Sequence, residues 1–168
     1  FLARTEIIYV KNSRLVMTTL NETIIISSSA EETEKLAARL TAFCCHGAVI
    51  ALYGELGAGK TVFARGVARG LGITDPVSSP TFTIVQEYQA GKKCFGISRL
   101  FHIDLYRIES ESDALIFGIE EFFGDENAVT LIEWAERIEN LLPQNTIHVR
   151  IEYGENDKRI IKIQGVNI

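Results

Sequence analysis

Eight consecutive residues, Gly54-Glu55-Leu56-Gly57-Ala58-Gly59-Lys60-Thr61, constrain the fold of this chain more than any other feature of it. They satisfy G-x-x-x-x-G-K-[ST], follow the continuous apolar run AVIALYG, and lead into a helical pattern from about Lys60 to Leu71 that Gly72 is placed to stop. A buried strand, a glycine turn and a helix in that order make a cradle for a phosphate chain. Glycines let successive backbone amides close on phosphate oxygens, and the first amides of the helix add partial positive charge. Lys60 is the candidate to bridge the β- and γ-phosphates, and the Thr61 hydroxyl is the candidate magnesium ligand. Average residue usage puts a chance match in a chain this long at about one in a hundred. The nucleotide-binding stretch is therefore read as Glu55 through Val62. No N-K-x-D follows later in the chain, which favours adenine over guanine nucleotides.

A magnesium-triphosphate site also needs an acid at the end of a neighbouring strand. Two candidates present themselves: Asp104 in LFHIDLYR, where alternation puts His102 on the same face, and Glu133 at the end of the more apolar VTLIEW. The residues alone do not rank them.

The rest of the chain reads as one α/β domain with a mixed sheet. ETIIISS is a short β-branched strand, and Ser29 with Glu32 forms a capping box before a helix striped by Leu36, Ala37, Leu40 and Phe43. TFTIVQEYQAGKKCFGISRLFHIDLYR reads as two strands joined around Ala90 to Lys93. Ser110 and Asp113 start a short helix that Gly118 interrupts, a further helix runs from about Ala135 to before Pro143, and TIHVRIEYG and KRIIKIQG flank a terminal hairpin. With 168 residues, 46% hydrophobic and 23% charged, the composition is that of a soluble globular domain, with no apolar run long enough to span a membrane. A formal charge of −5 argues against direct, nonspecific binding to DNA or RNA. Three cysteines, Cys44, Cys45 and Cys94, make no C-x-x-C pair, which fits a reducing cytoplasm. The only methionine is Met17. Residues 1–16 are thus expected to be an upstream or appended extension to a single domain over 17–168, although Ile7 to Val10 equally suits an added edge strand.

Taken together and in order, GELGAGKT, SSPTFTIVQEY, HIDLYR and LIEWAERI closely resemble the bacterial TsaE (YjeE) family, from about Glu22 to the carboxyl terminus. The resemblance implies a P-loop NTPase-type three-layer sandwich and a small ATPase that uses ATP and Mg2+. It further implies an accessory role beside TsaD and TsaB proteins in forming threonylcarbamoyladenosine in tRNA, with the tRNA reached through those partners. Carried over residue by residue, the family pattern puts Thr61 and Glu133 on magnesium and Lys60 with the loop amides on phosphate. Asp104 then becomes the group that orients or deprotonates the attacking water, with positioning favoured, and Trp134 becomes a reporter of nucleotide, core packing being the plainer reading of so large an aromatic. Ser79-Pro80-Thr81 occupies the place of a γ-phosphate-sensing switch, with Thr81 reaching phosphate or metal; the plainer reading is a turn leading into a strand.

His102 is read as an orienting or packing residue, Arg107 as a phosphate or partner contact or an ion pair, and Arg65 and Arg69 as one helix face turned to solvent or a partner. The segment KCFGISRLF lengthens the hairpin before HIDLYR relative to the family, which loosens the register expected for Asp104. A small-molecule kinase is the alternative enzyme class, though no arginine-rich lid segment is apparent. A nucleotide-dependent assembly module with incidental hydrolysis is the third reading.

Overall fold

The computed structural model describes the backbone of residues 6–10 and 14–19, and residues 22–91 and 96–166 in full. The joint at Lys92 and Lys93, together with Cys94, lies outside the described residues.

Among the described residues nine strands form one sheet: β1 (Glu6–Val10), β2 (Arg14–Thr19), β3 (Glu22–Ser27), β4 (Val49–Tyr53), β5 (Val85–Gln89), β6 (Arg99–Asp104), β7 (Ala128–Glu133), β8 (Ile147–Tyr153) and β9 (Arg159–Gln164). Their order is β1-β2-β3-β9-β8-β4-β7-β6-β5. The four central strands, β8, β4, β7 and β6, run parallel. Antiparallel partners extend the sheet on both sides. Central β4 and β7 are buried at every residue, as their unbroken apolar composition requires of strands covered on two faces.

One face carries α1 (Ala30–Leu40) and α2 (Lys60–Gly70) over Ile50, Leu52, Leu131 and Val149. The other carries α3 (Glu111–Phe117) and short 3-10 segments over Val49, Ala51, Ile103 and Ile132. The result is the expected α/β sandwich of three layers. No helix among the described residues is long and apolar enough to cross a membrane.

Local chemistry explains the helix boundaries. Ser29 caps α1 by accepting from the Glu32 amide at 3.1 Å, while the Glu32 carboxylate reaches one residue further back than a standard capping box, to the Ser28 amide at 2.8 Å. Beyond α2, Gly72 takes a φ of 71°, and the Ile73 amide returns to the Ala68 carbonyl at 3.0 Å, a Schellman closure. The α1–α2 contact depends on Gly66: a Cβ there would lie 2.3 Å from the Glu34 carbonyl oxygen. Arg65 and Arg69, expected to face solvent or a partner, both pair with Glu34 of α1, at 3.0 and 2.5 Å.

Two local expectations are corrected. The segment Thr81–Ile84 is a turn rather than strand: the Thr83 and Ile84 amides both bond the Pro80 carbonyl, at 3.1 and 2.7 Å, and β5 begins only at Val85. The helix expected after Trp134 is a 3-10 segment, Ala135–Leu141, broken at Ile138 where φ is −138°. Burying Ala135 and Ile138 against the second core outweighs a regular helical path.

Candidate functional site

Parallel registration delivers the two acids to the phosphate loop. Asp104 and Glu133 are the last residues of β6 and β7 and are partners across that ladder, while Leu52 of β4 pairs with Glu133. The loop leaves β4 just beyond Leu52. Both carboxylates and the loop consequently meet at the carboxyl ends of three adjacent strands, where α/β sheets bind ligands.

The cleft at this point encloses about 470 Å³, lined by Leu56, Gly57, Gly59, Lys60, Thr61 and Val62 on one side. Ser79, Thr81, Asp104, Tyr106, Glu133 and Trp134 form the other. Eleven of the residues singled out in the sequence therefore share one cavity. Glu55 and Ala58 lie outside its lining: Ala58 is buried in the α2 core, and its amide closes a turn onto the Glu55 carbonyl at 3.1 Å.

Lys60 is 4% exposed. Its ammonium donates to the carbonyls of Gly54 at 2.6 Å and Glu55 at 2.9 Å, and lies 3.8 Å from the centroid of the Trp134 ring. Burial draws its pKa below the ordinary lysine value, against the opposing pull of Glu133, Glu136 and Asp104. Trp134 itself holds a left-handed backbone, φ 62° and ψ 41°, uncommon for a large side chain and of the kind found at functional sites. Its indole is half-buried and tilts against Tyr106, with ring centroids 5.1 Å apart.

The Thr61 hydroxyl donates to Oε2 of Glu133 at 3.0 Å. The other oxygen, Oε1, is 2.9 Å from Nε2 of His102, which is fully buried. An ionised carboxylate only accepts, so Nε2 carries the proton in this contact. His102 Nδ1 has no hydrogen-bond partner among the described residues. A hydroxyl and a carboxylate converging at the amino end of α2 are hard oxygen ligands of the kind magnesium takes beside substrate phosphates.

Asp104 is 3% exposed and fully engaged. Its Oδ1 accepts from the Tyr106 amide at 2.9 Å; its Oδ2 accepts from Ser79 and, at 2.8 Å, from Thr81. Thr81 here faces Asp104 across the cleft wall. The same turn holds Ile84 at φ 66°, a strained conformation for a β-branched residue, fixed by the bond from the Asp104 amide to the Ile84 carbonyl at 2.9 Å. Arg107, three residues beyond the end of β6, holds its guanidinium 4.3 Å over the Phe82 ring.

Three contributors escaped the sequence reading as site residues. Tyr106 sits within a recognised motif, so its neighbours were a signal. Tyr153 and Arg159, which contact the loop from the terminal hairpin, are about a hundred residues away from it and left no local sign.

A phosphate loop after a buried parallel strand, opposite two strand-end carboxylates, defines a P-loop nucleotide-binding protein of the α/β class. The family model described as "Threonylcarbamoyl adenosine biosynthesis protein TsaE" matches residues 27–161. The chain belongs to the TsaE family. It is 45% identical over 136 residues to the tRNA threonylcarbamoyladenosine biosynthesis protein TsaE of Bacillus subtilis (strain 168), covering 81% of each chain. With the protein of the same name from Nostoc sp. it shares 37% identity over 154 residues, 90% of this chain and 91% of that one. The crystal structure of Bacillus subtilis YdiB superimposes with a TM-score of 0.68 at 36% identity, over 92% of this chain and 90% of that one.

Proposed function

We propose that this chain is an accessory ATPase of tRNA threonylcarbamoyladenosine formation, binding Mg-ATP and hydrolysing it slowly in the cytoplasm in support of TsaD and TsaB proteins. The observation that carries this reading is the meeting of the Thr61–Glu133 pair and Asp104 in one cleft that Lys60 also lines. In phosphoryl transfer the protein's work is mainly orientation and charge stabilisation, and each part of that work has a candidate here.

On nucleotide binding, the Lys60 ammonium exchanges the Gly54 and Glu55 carbonyls for β- and γ-phosphate oxygens, a move of one flexible side chain that relieves its partial desolvation by a doubly charged partner. Thr61 and Glu133 would hold the metal ion, which would neutralise phosphate charge when bound. Asp104 orients the attacking water. Three donors already fix the plane of its carboxylate, so positioning is the role that suits it. Ser79 and Thr81, released from Asp104 by γ-phosphate or water, give the segment after α2 two positions, as a phosphate-sensing switch requires. The net charge of −5 suits a subunit that leaves the tRNA surface to its partners.

The test is ATP turnover and tRNA threonylcarbamoylation measured together, with and without matching TsaD and TsaB, for the native chain and Asp104→Asn. The expected result is partner-stimulated hydrolysis, with both hydrolysis and multiple-turnover modification lost in the variant while ATP still binds. Modification that persists in Asp104→Asn makes nucleotide an assembly signal instead. If neither activity depends on this chain, the proposal fails.

A further inference from the structure

The phosphate loop is held from behind by two side chains of the β8–β9 hairpin. Tyr153, at the end of β8, donates its hydroxyl to the Leu56 carbonyl at 2.7 Å. Arg159, at the start of β9, donates Nε to the Ala58 carbonyl at 2.9 Å, and its guanidinium lies 4.6 Å over the Tyr153 ring. Neither residue lines the cleft. A further contact ties the pair together: Arg159 also donates to the turn carbonyls of Asp157 and Lys158, at 2.8 and 3.1 Å, where Asn156 and Asp157 both take left-handed backbone.

The direction of those two bonds matters. In a planar trans peptide the carbonyl of one residue and the amide of the next point opposite ways. Drawing the Leu56 carbonyl toward the hairpin turns the Gly57 amide away from it, and drawing the Ala58 carbonyl the same way turns the Gly59 amide. Both glycines line the cleft, as neither hairpin residue does. Their backbones adopt φ of 78° and 114°, so the loop is set in a conformation that other residues resist. At Gly57 a Cβ would come within 2.8 Å of the Tyr153 hydroxyl, so the approach of the brace itself calls for glycine there.

We infer that Tyr153 and Arg159 are positioning residues for nucleotide binding: they hold alternate loop carbonyls outward so that the Gly57 and Gly59 amides face the phosphates before nucleotide arrives. This rests on the proposed nucleotide site and adds to it a second, distant element that sets its affinity. Preorganisation lowers the cost of ordering on binding. Once phosphate is bound it holds the same amides itself, so losing the brace should weaken binding and leave the chemical step intact.

The experiment compares the native chain with Tyr153→Phe, which removes one hydroxyl and keeps the ring, and with Arg159→Met, which keeps the aliphatic stem. Amide proton and nitrogen shifts of Gly57 and Gly59 are recorded without nucleotide, and ATP affinity and kcat are measured alongside. Loss of the neutral Tyr153 bond predicts an ATP Kd raised about fivefold, and loss of the charged Arg159 donor a rise at least as large. Displaced Gly57 shifts in the first variant and Gly59 shifts in the second are expected, with kcat unchanged. A hairpin that matters only for folding would lower Tm without moving those glycines. Unmoved glycine amides with Kd within about twofold of native overturn the inference and leave the proposed function standing. A native chain that does not bind ATP overturns both.

Discussion

Nε2 of His102 stands 2.9 Å from Oε1 of Glu133, and the Thr61 hydroxyl stands 3.0 Å from Oε2 of the same carboxylate. One oxygen is thus anchored in the sheet while the other is presented to the amino end of α2. The arrangement follows from β6 and β7 being parallel neighbours: alternation puts His102 and Asp104 on one face, and Asp104 is in register with Glu133. Partners behind a metal ligand fix its orientation, and removing them typically costs 10- to 100-fold in metal affinity, in round terms. His102→Leu is therefore expected to weaken magnesium-dependent ATP binding by about tenfold while leaving magnesium-free ADP binding near native. Calorimetric titration of nucleotide across a magnesium series distinguishes these. Equal loss with and without metal would assign His102 to packing alone.

The Lys60 ammonium lies 3.8 Å from the Trp134 ring centroid and is held there by two main-chain carbonyls. Phosphate competes for that ammonium more strongly than a carbonyl does, because the bond becomes charge-assisted on both sides. ATP binding should accordingly shift Trp134 emission, and since it is the only tryptophan the signal has one source. Lys60→Met is expected to abolish the change and to raise Kd by at least about thirtyfold, the lower bound for removing one partner of a buried charge pair. An unaltered emission on saturating the native chain would separate Trp134 from the nucleotide.

At Gly66 the two helices over the first core come together without room for a side chain. A Cβ there would meet the Glu34 carbonyl oxygen at 2.3 Å and the Ala37 Cβ at 2.6 Å, main-chain and rigid neighbours that cannot swing aside. Gly66→Ala should destabilise by about 2–3 kcal/mol, as overpacking does. For a chain of this size that corresponds to a Tm lowered by roughly 4–12 °C. Gly124 is the comparison, with φ 80° but nothing within 4 Å of an added Cβ, so Gly124→Ala pays only for backbone conformation, about 1 kcal/mol. If the two variants melt alike, the close helix approach is not a constraint.

How much of this was legible before the fold depends on how far apart the cooperating residues lie. The loop from Gly54 to Thr61 is a contiguous chemical pattern, and its strand and helix are adjacent to it, so composition and spacing suffice. Asp104 and Glu133 were visible as strand-end acids, but their relation depends on β6 and β7 being neighbours in register, which periodicity does not state. The turn at Thr81–Ile84 reads as strand because Thr, Phe, Thr and Ile all favour extended backbone. A residue-level preference loses there to the Pro80 carbonyl and the Asp104 cluster, which together hold even Ile84 at positive φ. Arg65 and Arg69 read as a free helix face because Glu34 lies on another helix. Tyr153 and Arg159 were illegible for the same reason on a larger scale: nothing near them mentions the loop, and only the closing of β8 between β4 and β9 brings the hairpin to it.

On the opposite face of the sheet, His148 of β8 stacks on Tyr53 of β4, with ring centroids 5.8 Å apart and the Tyr53 hydroxyl 2.8 Å from His148 Nδ1. Glu139 of the 3-10 segment, Arg150 of β8, Lys162 of β9 and Glu22 of β3 complete a cavity of about 160 Å³ around them. Burial pushes the His148 pKa below its usual 6.5, with Glu139 pulling in the other direction, and burial raises Tyr53 to about 12. The phenol therefore stays protonated, and it shares one hydrogen bond with the imidazole. The sign of the pH effect follows. A base whose pKa is lower in the folded chain is protonated first in the unfolded chain, so stability present above about pH 6.5 is lost as the pH falls through that value toward the folded one. Below both values the contribution stops changing. His148→Asn removes the titration while keeping a hydrogen-bonding side chain. The difference in Tm between native and variant should then move against the native chain between about pH 7.5 and about pH 5. Parallel melting curves for the two chains across that range would show that His148 does not carry the acid sensitivity.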